Sequence, residues 1–171
     1  MDISALAIVA AFVVAAIIYR RVEKKRGRIF IDSYAFPATV TEKVKKVYPF
    51  LSDAHVSRVI KALRQYFQIC NAAGLRMVSM PSQVVDVAWH EFILFTRDYK
   101  GFCKHAFGRF LHHTPAEAMK TPTQAHDGIK RAWRLACLEE GINPKSPTRR
   151  PLLFAIDALL DICSSRFLRD Q

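Results

Sequence analysis

The sequence predicts an all-α protein, with an N-terminal single transmembrane helix followed by a compact bundle of five or six helices. Three observations support this fold class. Residues 3–19 form an uncharged apolar run, apolar positions after residue 39 recur every three or four residues, and no segment alternates with the period of a strand. A length of 171 residues, 51% of them hydrophobic and 24% charged, fits one folded domain with a short appendage.

The N-terminal run ISALAIVAAFVVAAIIY carries no charge and is followed by basic residues. As a helix it would reach roughly 25 Å, close to a hydrocarbon core of about 30 Å. A cleaved signal peptide would carry its positive charge before the apolar run, and here Arg20, Arg21 and further cations come after it. The positive-inside rule then places the N-terminus outside and the rest in the cytoplasm. A buried core helix is the alternative.

These features predict three regions. Residues 1–19 would be a transmembrane signal anchor in the inner (cytoplasmic) membrane, residues 20–38 a basic juxtamembrane connector, and residues 39–171 a cytosolic helical domain. Residues 27–38 of the connector are predicted to be extended, either as a linker or as a strand-like arm on the helices.

Proline, glycine and capping residues mark the helices of the domain. The predicted segments are Thr39–Val47 before Pro49, a helix from Ser52 or Asp53 to Gly74, a central helix from Pro81 to about Asp98, a helix from about Tyr99 to the His112–His113 pair, a stop at Thr114–Pro115, a helix from Gln124 to Glu140 before Gly141, and a last helix starting at Pro151. We find no internal repeat.

A net charge of +11 favours an anionic neighbour. The expected partners are the lipid bilayer itself, through the anchor, and acidic lipid headgroups or a protein partner. Nucleic acid is not expected, because only the charge points to it and no RNA-recognition pattern is present. The four cysteines are far apart and form no CxxC pair, which argues against a disulfide scaffold or a zinc knuckle.

The central stretch from Val84 to Pro115 concentrates residues that can bind metals. Asp86 and His90 are four apart, so on a helix they share one face. With Cys103 and one of His112 or His113, they would form a ligand set suited to zinc or another borderline-soft divalent ion. The alternative is a partly buried core histidine, His90, hydrogen-bonded to Asp86 or to a backbone carbonyl.

Several established catalytic motifs are absent from this stretch and from the chain. The pair His90-Glu91 would begin an HExxH motif, but position 94 is Leu94 rather than histidine. Neither a glycine-rich phosphate loop nor a GxSxG nucleophile motif occurs. The residues therefore contain no complete catalytic constellation, and whether the protein is an enzyme stays open.

Three segments carry a resemblance to a known family: PSQVVDVAWHEFILFTRDYKGFCKHAFGRFLHHTP, AWRLACLEEGINP and RPLLFAIDALLDI. They resemble bacterial members of the glycine-rich domain-containing protein-like family. The resemblance implies the signature residues Asp86, Trp89, His90, Thr96, Tyr99, Phe102, Cys103, His112, His113 and Pro115. It implies no reaction, and the chain, with six glycines, lacks the glycine-rich segment of that family.

Two functions follow from the sequence. The favoured one is a binding or scaffold module at the inner membrane surface, in which the central stretch serves as core. The alternative is a metal-binding, zinc-like domain, or a metal-dependent enzyme built on that domain, that uses Asp86, His90, Cys103 and the His112–His113 pair.

Overall fold

The computed structural model describes residues 3–113 and 122–162, and these residues form seven helices without any strand. They are α1 (Ile3–Ser33), α2 (Ala38–Val47), α3 (Asp53–Ala73), α4 (Gln83–Leu94), α5 (Thr96–Phe107), α6 (Pro122–Glu139) and α7 (Leu152–Leu159). The predicted all-α fold is confirmed for this part of the chain. The predicted stop at Pro115 and the last helix beyond residue 162, with Cys163, lie outside the described residues.

The predicted membrane anchor is wrong. Among the described residues, the structure offers no helix of sufficient length and apolar character to cross a membrane. Arg20, Arg21 and Glu23 lie in the same helix, α1, as the apolar run. The inner-membrane, single-pass localisation predicted from this segment is overturned with the anchor.

The second half of α1 packs into the domain instead of forming an extended connector. Ile31 is fully buried in the core. A Cβ on Gly27 would overlap the carbonyl oxygen of Ala106, so glycine is required where α1 meets α5. At the end of α1, the guanidinium of Arg64 donates hydrogen bonds to carbonyl oxygens of the α1 terminus and of the following turn, including that of Tyr34 at 2.8 Å. The helix therefore continues to Ser33.

Helix α3 is the central element, since α1, α4, α6 and α7 all pack against it. The side chain of Ser52 caps its start by accepting from the His55 amide, and Gly74 ends it with φ +66°. These are the predicted boundaries. Its apolar stripe is buried along the whole length: Val56, Val59, Ala62, Leu63, Tyr66, Phe67, Ile69, Cys70 and Ala73.

The start of α4 is fixed by a carboxylate from α7. Asp157 Oδ1 accepts from the Ser82 hydroxyl at 2.7 Å and from the Val84 amide at 3.3 Å, and Asp157 Oδ2 accepts from the Gln83 amide at 2.7 Å. The first turn of a helix leaves backbone N–H groups without helical partners, and an anion is favourable there. Asp157 thus holds the helix that carries Asp86 and His90.

Helices α4 and α5 are both shorter than the sequence predicted. The backbone turns at Phe95 between α4 and α5, and α5 ends at Gly108, which adopts a left-handed conformation with φ +66°. A glycine at this position is a common helix terminator. The predicted helix up to the histidine pair is therefore wrong, and His112 and His113 lie in the loop after α5.

We expect Asp157→Asn to lower the free energy of unfolding by about 1–2 kcal/mol, because the charged acceptor for the first turn of α4 is lost. Urea titration followed by circular dichroism measures this change. Asp161→Asn is the matched control: its carboxylate is exposed, and we expect a change within about 0.5 kcal/mol. Equal effects from the two substitutions would contradict a capping role.

Candidate metal centre

Helix α4 places Asp86 and His90 on its solvent-facing side. Its opposite side is buried by Val84, Val85, Ala88, Trp89 and Phe92. Asp86 is about one-third exposed, and the side chain of His90 is 54% exposed. His90 is therefore more open to solvent than the predicted, partly buried histidine. The hydrogen-bond partners predicted for it are present, because its Nδ1 lies 3.2 Å from the Asp86 carboxylate and 3.2 Å from the Asp86 backbone carbonyl.

The loop after α5 brings His113 to the same place. The buried Tyr99 hydroxyl donates to the Leu111 carbonyl at 2.6 Å and accepts from the Trp89 indole N–H at 3.1 Å. The Trp89 ring in turn packs edge-on against the His113 ring, with centroids 4.5 Å apart. This chain of contacts fixes the loop against α4, so that His113, with a side chain only 12% exposed, faces Asp86.

The carboxylate of Asp86 lies between two imidazoles. Its Oδ1 is 2.9 Å from Nε2 of His113, and its Oδ2 is 3.2 Å from Nδ1 of His90. The two imidazole centroids are 4.0 Å apart. One potential ligand atom from each of the three residues lies within 4.8 Å of the other two. We call these three residues the Asp86–His90–His113 cluster.

The dimensions of this cluster suit a divalent ion after small side-chain rotations. Zinc binds histidine nitrogen and carboxylate oxygen at about 2.0–2.2 Å, which places tetrahedral ligand atoms roughly 3.4 Å apart. Two imidazoles and one carboxylate are ligands found on zinc and on iron(II), and they leave at least one coordination position open. The geometry fits a metal, and it fits equally a set of hydrogen bonds from two histidines to one aspartate.

The other two predicted ligands lie apart from the cluster. Cys103 is buried, and burial raises the pKa of its thiol, which lies beside the Tyr99 hydroxyl and the Leu111 backbone. His112 is exposed and packs on the Phe110 ring, with centroids 4.8 Å apart. Of the five predicted ligand residues, Asp86, His90 and His113 lie together, and Cys103 and His112 are not part of the cluster.

A cavity of about 580 Å³ opens beside the cluster. Besides the three cluster residues, its lining includes Tyr66, Arg76, Val78, Met80, Gln83, Arg109, His112 and Ile129. Arg76 and Arg109 were not among the residues predicted from the sequence. Gly108 could have predicted the place of Arg109, because a helix that ends at this glycine puts Arg109 in the loop beside the histidines rather than on a helix face.

Comparison with known protein families returns a match. A family model described as UCP032817-like matches residues 25–168, which is more than half of the chain. No curated protein and no solved structure matches. The resemblance to the glycine-rich domain-containing protein-like family is therefore wrong, and the signature residues inferred from it carry no family assignment.

We expect Cys70 and Cys103 to resist alkylation in the folded protein. The thiolate is the reactive form, and burial raises the pKa of both thiols, that of Cys70 to about 12. Treatment with iodoacetamide at pH 8, followed by peptide mass spectrometry, should leave both unmodified while the urea-unfolded chain is fully modified. Equal labelling of Cys103 in the two states would show an accessible thiol and reopen its candidacy as a ligand.

Proposed function

The chain belongs to the UCP032817-like family, and we propose that it is a metal-binding domain that holds one divalent ion on Asp86, His90 and His113. Zinc is the expected ion. The observation that carries the proposal is the convergence of three potential ligand atoms within 4.8 Å of one another. Two of the three residues are one helical turn apart on α4, and the third comes from a loop fixed by buried hydrogen bonds.

The cluster has the composition of a catalytic rather than a closed structural metal site. Structural zinc sites use four protein ligands, whereas catalytic sites use three and keep one position for water or substrate. The open position here would face the 580 Å³ cavity. An ion in the cluster would lower the pKa of a bound water to about 7, so metal-assisted hydrolysis is the chemistry that we propose.

The location of the cluster supports a metal over hydrogen bonding alone. Asp86 has an imidazole beside each of its two carboxylate oxygens, and two imidazoles with one carboxylate are a ligand set of three-ligand metal sites. Both imidazoles border the solvent-connected cavity instead of filling the core. The binding or scaffold role predicted from the sequence placed the protein at a membrane through the N-terminal anchor, and that anchor is overturned. Binding to a protein partner or to acidic lipid headgroups stays a prediction.

Metal content of the full-length chain, purified without a polyhistidine tag, tests this proposal. We expect about one zinc per chain by elemental analysis after equilibration with zinc, and retention below a tenth of that in His90→Ala, because two ligands cannot hold the ion. His105→Ala is the matched control, since His105 is exposed on α5, its Nδ1 lies 2.8 Å from the Gly101 carbonyl and its ring packs against Phe30 rather than against the cluster. Wild-type protein that is folded and binds no divalent metal would contradict the proposal.

The buried hydroxyl of Tyr99 should affect metal affinity through His113. We expect Tyr99→Phe to weaken zinc binding about 10-fold or more, because groups that orient metal ligands contribute on that order. Tyr66→Phe also removes a buried hydroxyl, one that donates to the Val78 carbonyl at 3.0 Å, and serves as the matched control. Both variants should lose about 1–3 kcal/mol of stability, and only Tyr99→Phe should lose zinc affinity.

Isothermal titration calorimetry separates these two effects. Equal zinc affinities of the Tyr99→Phe and Tyr66→Phe variants would show that the hydroxyl of Tyr99 stabilises the fold without positioning His113.

A further inference from the structure

We propose that the cavity beside the Asp86–His90–His113 cluster binds a small organic phosphate monoester, whose phosphate oxygens contact the metal, Arg76 and Arg109. This inference rests on the proposed function, because one of the three cations that would hold the phosphate is the metal ion.

The charge of the cavity lining calls for an anion. Arg76 and Arg109 are its arginines, and Asp86 is its one carboxylate among the described residues. A divalent ion in the cluster would add further positive charge on the same side. A phosphate monoester is a dianion near neutral pH and presents several oxygens, so one group can meet the ion and both guanidinium groups.

Arg109 is held in place by neutral acceptors. Its Nη2 donates to the Gly74 carbonyl at 2.6 Å, and its Nη1 donates to the Phe110 carbonyl at 3.3 Å. Its side chain is half-buried, yet no carboxylate within the described residues forms an ion pair with it. A guanidinium has five N–H donors, so this fixed cation retains donors for a ligand.

Arg76 supplies a second guanidinium group in the cavity lining. It is exposed, and its one side-chain hydrogen bond within the described residues is a long contact of 3.5 Å from Nε to the Ala73 carbonyl. Both terminal nitrogens can therefore turn toward the cavity. Guanidinium groups bind phosphate in a bidentate manner, which a lysine cannot reproduce.

The size and walls of the cavity favour an organic ester over free phosphate. A volume of about 580 Å³ lies within the range of small-molecule sites, roughly 300–1,000 Å³. Apolar side chains, among them Val78, Met80 and Ile129, cover part of the lining. The phosphate would lie between the metal and the arginines, and the apolar wall would contact the organic part of the ester.

Phenyl phosphate is the probe, and benzyl alcohol, an uncharged aromatic compound of similar size without a phosphate, is the comparison compound. Zinc binding to the full-length chain is measured first, and the zinc-loaded protein is then titrated with each compound by calorimetry. We expect saturable binding of phenyl phosphate, no detectable binding of benzyl alcohol, and at least 10-fold weaker binding of phenyl phosphate to Arg76→Gln and to Arg109→Lys. Release of phenol during the titration would also count as evidence of binding, because phenyl phosphate must bind before it can be hydrolysed.

Arg97→Gln is the matched control, because Arg97 is an exposed arginine on α5 that does not line the cavity. It should bind phenyl phosphate like the wild type. If zinc does not bind, the proposed function and this inference both fail. If zinc binds but phenyl phosphate does not, or benzyl alcohol binds equally, or the two cavity variants keep wild-type affinity, this inference alone fails. Circular dichroism verifies that each variant is folded.

Discussion

The hydrogen bonds of the buried Tyr99 hydroxyl are the interactions on which the Asp86–His90–His113 cluster depends. The hydroxyl accepts a hydrogen bond from the Trp89 indole and donates one to the Leu111 carbonyl, so it joins α4, α5 and the loop that follows. Polar groups in such a dry environment are costly to leave unpaired, which gives the three segments one favoured arrangement. His113 is two residues beyond Leu111 and is placed beside Asp86 by this link.

The rest of the fold keeps α4 rigid at its other end. Asp157 holds the first turn of α4, and the buried side of the helix packs on α3, with Trp89 against Tyr66 at 4.9 Å between ring centroids. Asp86 and His90 therefore stand on a fixed helix, while a single loop supplies His113. A site whose ligands come mostly from rigid elements needs little reorganisation when an ion binds. The same geometry leaves one side of the cluster open to the cavity.

Local sequence patterns predicted helix ends and the Asp86–His90 pair. They could not predict which distant segments of the chain pack together. Ser52, Gly74 and Gly141 mark helix ends in the sequence because capping and left-handed backbone are local properties, and the Asp86–His90 pair follows from helical spacing. The position of Arg64 on α3 predicts a surface residue, yet its guanidinium donates a hydrogen bond to the carbonyl of Tyr34 just after α1. Periodicity identifies the faces of a helix, but it does not identify the segment that packs on each face. His113 was a candidate ligand, but its approach to Asp86 depends on Gly108 ending α5.

Anomalous diffraction at the zinc edge, from crystals of the full-length chain grown with zinc, tests the central claim most directly. We expect one dominant peak about 2.0–2.2 Å from an oxygen of Asp86 and from one ring nitrogen each of His90 and His113. A dominant peak at other side chains, such as Cys103, or a cluster that keeps its hydrogen bonds with no peak between the three residues, would contradict the claim.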